Sequence, residues 1–216
     1  MKAPMAPDYY DRIFSQVDDY KAHYTQSRYF VLWSQVIQYL RSVPSPKILE
    51  IGCGPGQFAN YLYDQGFRDY HGFDFSSGAV EAALKTVPLP FEVGDAMDKN
   101  SFRHDYNVAI VLEVLEHVTD DLGVLGNLRK GTPVIFSLPT FDDEAHVRFF
   151  RSAQEVVSRY NEIIDIQHMV MISHWFVCLG VVRGPAQAAP VPCDSKDILA
   201  RVQRTLMPAD LWADAK

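Results

Sequence analysis

The chain has 216 residues and a mass of 24.5 kDa, with 48% hydrophobic and 22% charged residues. This composition is ordinary for a globular domain and excludes a disordered, collagen-like or coiled-coil protein. A formal charge of -7 and an isoelectric point near 5.4 give no overall attraction to nucleic acid or anionic lipid, so neither is expected as a partner.

The cysteines and the apolar segments indicate the compartment. Cys53, Cys178 and Cys193 lie far apart and form no CxxC pair of the kind found in zinc sites. The longest apolar run, Val108–Leu115, is far too short to span a membrane, and the first residues lack the apolar core of a signal peptide. We therefore expect a reduced, soluble, cytoplasmic protein with no membrane association.

In chain order, residues 8–43 come first and carry many aromatic side chains among polar ones. Apolar residues recur at helical spacing from Phe30 to Leu40, and prolines follow at positions 44 and 46. This pattern predicts one or two helices, which we assign to an N-terminal helical lid over residues 1–44.

From residue 47 onwards, apolar runs typical of buried strands alternate with segments compatible with helices. The last two runs, 163–171 and 176–182, lie close enough along the chain to pair as an antiparallel hairpin. Residues 45–183 are therefore predicted to form an α/β domain with a Rossmann-like, doubly wound, seven-stranded, mainly parallel sheet and a C-terminal antiparallel hairpin. The other predicted strands cover 47–51, 70–75, 89–93, 108–112 and 133–138. One predicted helix ends near residue 66, and three others cover 79–84, 122–128 and 153–160.

Residues 184–216 form a separate C-terminal segment. It begins with a linker rich in Pro and Ala, and the apolar spacing beyond Ser195 predicts a helix. We expect this helix to dock on its own domain. A homodimer contact and a tail without structure stay open as alternatives.

A glycine-rich loop, Glu-Ile-Gly-Cys-Gly-Pro-Gly, covers residues 50–56 between a predicted strand and a predicted helix. Glycine permits positive φ and lets a ligand lie against bare backbone, although a tight turn without a ligand is the alternative. Asp74 ends the second strand about 20 residues later, where a carboxylate can accept both hydroxyls of a ribose. Asp95 ends the third strand and could frame an adenine, so the sequence predicts a nucleoside site.

The spacing Gly-x-Gly-x-Gly differs from the Gly-x-Gly-x-x-Gly of dinucleotide sites and disfavours a nicotinamide oxidoreductase. The loop, Asp74 and Asp95 together resemble the class I S-adenosylmethionine-dependent methyltransferases, over about residues 45–182. This resemblance implies that S-adenosylmethionine is the cofactor, with its methionine portion on the loop, its ribose on Asp74 and its adenine amino group on Asp95. The implied cofactor-binding residues are Glu50, Gly52, Cys53, Gly54, Gly56, Asp74, Phe75, Asp95, Ala96, Met97, Leu112 and Glu113.

The segment 106–118 resembles the family's fourth-strand motif, although Asn107 stands where the family usually has Asp. The resemblance implies that Leu112 and Glu113 lie beside the methyl group. The adjacent Glu-His pair is similar to that of ubiquinone-pathway and related small-molecule O-methyltransferases. We therefore predict His117 as a general base for methyl transfer to an oxygen or nitrogen of a small molecule, with a structural role as the alternative.

The segment 137–150 follows the fifth strand and is too polar for a core. It falls where related enzymes place the acceptor. His146 is therefore a second catalytic candidate and Arg148 a predicted substrate contact, with loop salt bridges to Asp142 or Asp143 as the alternative.

Tyrosines in the N-terminal segment are predicted to reach the substrate from the lid, since methyltransferases of this kind commonly cover the cofactor with N-terminal helices. Lids exclude water from the reacting groups. The candidates are Tyr9, Tyr10 and Tyr24, with simple packing as the alternative.

Two further functional alternatives stay open. Glu113, Glu116 and His117, with His146, resemble the metal ligands of the small-RNA 2′-O-methyltransferases, which implies a metal-assisted RNA enzyme holding Mg²⁺ or Mn²⁺. No basic, aromatic RNA-binding region accompanies these residues, so no metal is predicted. The other alternative is a module that binds S-adenosylmethionine without catalysis.

Overall fold

The computed structural model describes residues 2–184, so the linker and helix predicted for 185–216 lie outside the described residues. The described part of the chain contains seven strands and six α-helices. The strands are β1 (Ile48–Ile51), β2 (Tyr70–Asp74), β3 (Phe91–Val93), β4 (Val108–Val111), β5 (Pro133–Pro139), β6 (Ile164–Ile172) and β7 (Trp175–Val182). The helices are α1 (Pro7–Gln16), α2 (Phe30–Leu40), α3 (Gln57–Asp64), α4 (Ser77–Thr86), α5 (Asp121–Gly126) and α6 (Ala153–Tyr160).

The seven strands form one sheet in the order β3-β2-β1-β4-β5-β7-β6. Strands β1 to β5 pair in parallel, whereas β7 is antiparallel to both β5 and β6. This arrangement confirms the predicted Rossmann-like fold with its C-terminal hairpin. The strand order reverses between β1 and β4, and ligands bind open α/β sheets in the crevice at the carboxyl ends of such strands.

The core lies on both faces of the sheet, and β4 shows how one strand supplies both halves. Val108 and Ile110 belong to the apolar cluster on one face, and Ala109 and Val111 belong to the cluster on the other. Successive side chains of a strand point to opposite faces, so a strand covered on both sides is apolar throughout. The unbroken apolar run that predicted this strand therefore has a direct physical cause.

The two N-terminal helices differ in how they pack. Helix α2 buries apolar side chains, including Leu32 and Leu40, in the core cluster with α3. Helix α1 has no buried residue and packs on the surface of the domain. The Asp11 carboxylate accepts hydrogen bonds from the Ser76 hydroxyl and, at 3.4 Å, from the backbone N–H of Gly78 at the start of α4.

Some predicted boundaries shift. Strand β3 begins at Phe91 rather than at residue 89, and α5 covers Asp121–Gly126 rather than 122–128. Asn107 has a structural role, because its side-chain oxygen accepts a hydrogen bond from the backbone N–H of Lys47 at 2.7 Å. Among residues 2–184, every helix is too short or too polar to cross a bilayer.

Candidate active site

The loop between β1 and α3 depends on glycine at its turns. Gly52, Gly54 and Gly56 have φ of 73°, 51° and 82°, a region that other residues rarely adopt. A Cβ atom at Gly52 would lie 2.3 Å from Cγ2 of Val114. The loop can therefore follow this path, with its backbone bare, only when glycine occupies these positions.

Asp74 links the glycine loop to the end of β2. One carboxylate oxygen accepts the N–H of Gly54 and the other accepts the N–H of Ser76, each at 2.9 Å. The side chain is buried, and this burial raises the pKa of Asp74 despite these hydrogen bonds. Asp74 therefore holds the loop in place at the sheet edge where the sequence predicts ribose binding.

The neighbouring strand ends carry exposed apolar side chains beside a carboxylate. Phe75 is 38% exposed and Met97 is 44% exposed, which is unusual for large apolar residues. Asp95 is also exposed, and its Oδ1 accepts the N–H of Met97 at 2.8 Å. Two apolar side chains could pack against a flat nucleobase at this edge of the sheet, and the carboxylate could accept a hydrogen bond from its amino group.

A cavity of about 660 Å³ opens at the carboxyl ends of β1 and β4. The glycine loop, α1, the segment after β4 and the segment after β5 form its walls. The predicted site residues that line it are Tyr9, Tyr10, Glu50, Gly52, Cys53, Gly54, Leu112, Glu113, His117 and His146. The predicted residues that do not line it are Tyr24, Gly56, Asp74, Phe75, Asp95, Ala96, Met97 and Arg148.

Glu50 is a buried acid at the glycine-loop end of the cavity. The Tyr70 hydroxyl donates a hydrogen bond to its Oε2 at 2.5 Å. Burial raises the pKa of Glu50 to about 8, against the opposing effect of that hydrogen bond. Burial likewise raises the pKa of the neighbouring Cys53 thiol, so this thiol is not a nucleophile at neutral pH.

His117 and His146 meet at the opposite end of the cavity, with ring centroids 5.1 Å apart. Nδ1 of His117 lies 3.1 Å from the carbonyl oxygen of Ala145, and Nδ1 of His146 lies 3.2 Å from that of Phe141. A carbonyl can only accept, so each Nδ1 carries the hydrogen and each Nε2 keeps a lone pair when the ring is neutral. Burial lowers the pKa of both imidazoles, which favours that neutral form.

Glu116 lies directly behind these imidazoles. Its side chain is fully buried, and neither carboxylate oxygen has a hydrogen-bond partner within residues 2–184. Oε1 lies 3.9 Å from Nε2 of His117. The Glu116 carbonyl accepts the N–H of Val147 at 2.8 Å, which joins the segment after β4 to the segment after β5.

Glu113 is turned away from these imidazoles and is held by other groups. Its φ is 55°, and its carboxylate accepts hydrogen bonds from the Ser137 hydroxyl and the Trp175 indole N–H, both at 2.7 Å. Burial, reinforced by the nearby Glu116, raises the pKa of Glu113. Ser137 and Trp175 were absent from the sequence prediction, although each falls at an end of a predicted strand.

Helix α1 covers the cavity through its tyrosines. The Tyr10 ring packs edge to face against His117, with centroids 5.7 Å apart, and also contacts Phe75 at 5.3 Å. The Tyr9 hydroxyl donates to Glu144 at 2.9 Å. The N-terminal segment therefore contacts His117, the segment after β5 and the exposed Phe75.

Two predicted substrate contacts lie elsewhere. The Arg148 guanidinium donates to the backbone carbonyls of Leu115, Val118 and Thr119, so it braces the segment after β4 instead of entering the cavity. The predicted alternative was also wrong for Arg148, whose acidic neighbour is Asp121 at 3.4 Å.

Tyr24 is the other predicted substrate contact that lies outside the cavity. Its ring stacks on Tyr61 with centroids 4.8 Å apart, and its hydroxyl donates to Asp64 at 2.8 Å. The packing alternative therefore describes its position. Arg28, which no motif indicated, is the one Lys or Arg among the described residues that line the cavity.

A doubly wound sheet with a glycine loop beside its switch point, and with acids at the ends of the next two strands, is typical of proteins that bind a nucleoside-containing cofactor. Residues 23–171 match the family described as "Methyltransferase domain", and the chain belongs to this family. The chain therefore carries a methyltransferase domain, and the methyl donor of this domain is S-adenosylmethionine. The bare glycine backbone and the loop held by Asp74 fit that cofactor.

Two curated relatives with similar sequences have names that describe different reactions. A tRNA U34 carboxymethyltransferase of Trichodesmium erythraeum (strain IMS101) is 24% identical over 104 residues, which are 45% of this chain and 32% of the relative. An O-methyltransferase of Pyrenophora dematioidea is 27% identical over 103 residues, which are 44% of this chain and 39% of the relative. The chain thus spans only about a third of the length of these relatives, 32% of one and 39% of the other.

Solved structures share the fold at low sequence identity. A magnesium protoporphyrin IX methyltransferase from Synechocystis PCC 6803, solved with bound S-adenosylhomocysteine, is similar with a TM-score of 0.62 and 16% identity. The match covers 83% of this chain and 100% of that one.

Proposed function

We propose that this methyltransferase transfers the methyl group to an oxygen or nitrogen of a small molecule. One observation carries the proposal: two imidazoles, His117 and His146, line the same aromatic cavity as the glycine loop. A group that takes a proton must lie within reach of the reacting atom, and imidazole is the commonest such group.

The residues at the glycine-loop end hold the cofactor. When bound, the sulfonium group of S-adenosylmethionine supplies an electrophilic methyl group. We assign the methionine portion to Gly52 and Gly54, the ribose to Asp74 and the adenine to Asp95. The exposed Phe75 and Met97 support the last assignment, because flat apolar surface there suits a nucleobase.

The acceptor occupies the other end, where aromatic side chains dominate. The rings of Phe141 and Trp175 lie there, because Phe141 contacts both His146 and Trp175, and Trp175 binds Glu113. A pocket of about 660 Å³ that combines aromatic walls with convergent polar side chains, such as Glu113, His117 and His146, is typical of small-molecule sites. We propose a planar acceptor whose nucleophilic atom points towards the Nε2 atoms of His117 and His146.

Helix α1 acts as the lid in this proposal. It buries none of its residues and contacts α4 through Asp11, so it can leave without disturbing the core. Closure over the cavity excludes water from the reacting pair and aligns it, and alignment can contribute roughly 7–11 kcal/mol to lowering a barrier.

A nucleic-acid acceptor is disfavoured by charge. The chain carries a formal charge of -7, and Arg28 is the one basic side chain, apart from histidines, among the described residues of the cavity wall. Nucleic-acid sites require clusters of Lys and Arg to neutralise phosphates.

Label transfer from S-adenosylmethionine with a labelled methyl group tests the proposal. Phenols, catechols and amines are compared with tRNA and with protein, and labelling of a small molecule is expected. Asp74→Ala should lose affinity for S-adenosylhomocysteine, whereas His146→Ala should keep it and lower turnover about 10²-fold or more. His104→Ala, outside the cavity, is the matched control. Labelling of tRNA or protein alone would refute the proposed acceptor class, and binding without any labelling would indicate a non-catalytic module.

A further inference from the structure

Glu116 has a feature that cofactor binding and proton removal do not explain. Its carboxyl group is fully buried, and both oxygens lack a partner among the described residues. A buried polar group without a partner costs free energy, and the cost is larger when the group is charged. A cation held between the carboxylate and its neighbours would remove that cost.

The neighbours are arranged as metal ligands are. Glu116, His117 and His146 each offer one donor atom, and these atoms all lie within 4.8 Å of one another. Both histidines donate Nδ1–H to a backbone carbonyl, of Ala145 and Phe141 respectively. Such a hydrogen bond is the usual way in which a protein orients a metal-binding imidazole and leaves Nε2 free for the ion.

We propose that Glu116, His117 and His146 bind one divalent transition-metal ion, Zn²⁺ or Mn²⁺, at the acceptor end of the cavity. Two imidazoles and one carboxylate suit these ions better than Mg²⁺ or Ca²⁺, which prefer ligand sets made of oxygen alone. His117 and His146 line the cavity, so an ion held on their Nε2 atoms would lie beside the acceptor. This proposal revises the sequence-based expectation that no metal is present.

The required rearrangement is small. Donors bound at about 2.1 Å in a tetrahedral site lie about 3.4 Å apart, so the present separations would close by roughly 1 Å. Glu113 is not part of the set, because Ser137 and Trp175 already bind its carboxylate. The proposed ligands are therefore three residues, fewer than the four that the sequence resemblance groups together.

A second cluster, His71, Glu92 and His104, also has its donor atoms within 4.8 Å of one another, and Nε2 of His71 lacks a hydrogen-bond partner, but its carboxylate is already bound. The Glu92 carboxylate is already bound by the Arg103 guanidinium and by His104. The rings of His71 and His104 stack at 3.4 Å with an interplanar angle of 20°, so their lone pairs cannot converge on one ion. This cluster is a natural control for the proposed site.

The role of the ion rests on the proposed methyl transfer to an acceptor oxygen, whereas its binding does not. With Nε2 of both histidines bound to it, the ion would replace them as the group that promotes proton loss: it would make an acceptor hydroxyl more acidic, and the proton would pass to solvent. The oxygen then forms a bond to the methyl carbon as the carbon–sulfur bond breaks, and the electron pair stays on sulfur. An acceptor with two adjacent oxygens, such as a catechol, would bind through both.

The test is metal binding by the full chain after treatment with a chelator. Calorimetry with Zn²⁺ and electron paramagnetic resonance with Mn²⁺ should each detect one site. Glu116→Gln and His146→Ala should weaken binding at least about 100-fold, and His104→Ala should bind as the unmodified protein does. Absence of binding, or binding that depends on His104 but not on His146, would overturn the proposal.

Affinity for S-adenosylhomocysteine and label transfer are measured on the same samples. Label transfer to a small molecule that continues without a bound ion would overturn the role of the ion and leave the proposed function intact. Loss of label transfer on chelation, restored by Zn²⁺ or Mn²⁺, would support both. Metal binding without transfer to any small molecule would support the ion site and refute the proposed function.

Discussion

The two ends of the cavity treat their buried acids differently. At the glycine-loop end, Tyr70 holds Glu50, and the backbone N–H groups of Gly54 and Ser76 hold Asp74. At the acceptor end, Glu116 is equally buried and has no partner among the described residues. The buried acids at the glycine-loop end thus have hydrogen-bond partners within the protein, whereas Glu116 gains a partner only when a ligand binds.

The largest effect on ligand affinity is expected at Gly52, where the glycine loop has the least room for a side chain. Gly52→Ala would place a Cβ atom 2.3 Å from Val114 Cγ2 at a φ of 73°, so the loop would have to move. We expect affinity for S-adenosylhomocysteine to fall at least about 100-fold, because the loop loses its close approach to the ligand. Calorimetric titration measures this affinity.

Gly66→Ala is the matched control for Gly52→Ala. Gly66 has a φ of 91°, and a Cβ atom there would have no neighbour within 4 Å. The variant should lose about 1 kcal/mol of stability from backbone strain alone and keep its affinity for the ligand. Equal loss of affinity in the two variants would show that strain, and not the loop's approach, controls binding.

A pair of methionine substitutions tests the comparison directly. Glu116→Met in metal-free protein should raise the free energy of unfolding by about 1–3 kcal/mol, because it removes an unpartnered buried carboxyl group. Glu50→Met should lower it by about 1–2 kcal/mol, because the buried Tyr70 hydroxyl loses its acceptor. Denaturant unfolding measures both, and changes of the same sign would contradict the difference between the two ends.

The smallest effect concerns pH and Glu50. Its pKa rises from 4.5 to about 8 on folding, so the folded state favours the protonated form. The resulting stabilisation is complete below pH 4.5 and is lost as pH rises towards 8, by about 2 kcal/mol between pH 5 and 7. Glu50→Gln should show a shallower decline in melting temperature over this window than the unmodified protein, without cofactor. An identical decline would place the titrating group elsewhere.

The predicted site residues that the structure brings together are those whose neighbours are close in the chain or follow from the order of the strands. The glycine loop needs only its own positive φ values, and the strand ends meet because parallel strands share one edge. The positions of Tyr24 and Arg148 could not be deduced in this way. Arg148 bonds to carbonyls about 30 residues earlier, and which of two nearby surfaces a long side chain reaches depends on the paths of both loops.

The sequence by itself determined the alternation of strands and helices and the position of the glycine loop, because periodicity and backbone conformation are local properties. The class of cofactor followed from the resemblance of that loop and its acidic successors to a known family. Only the tertiary structure decided that Glu116 meets His117 and His146 while Glu113 turns to Ser137 and Trp175. These pairings join segments from different strand ends, and the energy that selects among them comes from burial and hydrogen bonding in the assembled fold.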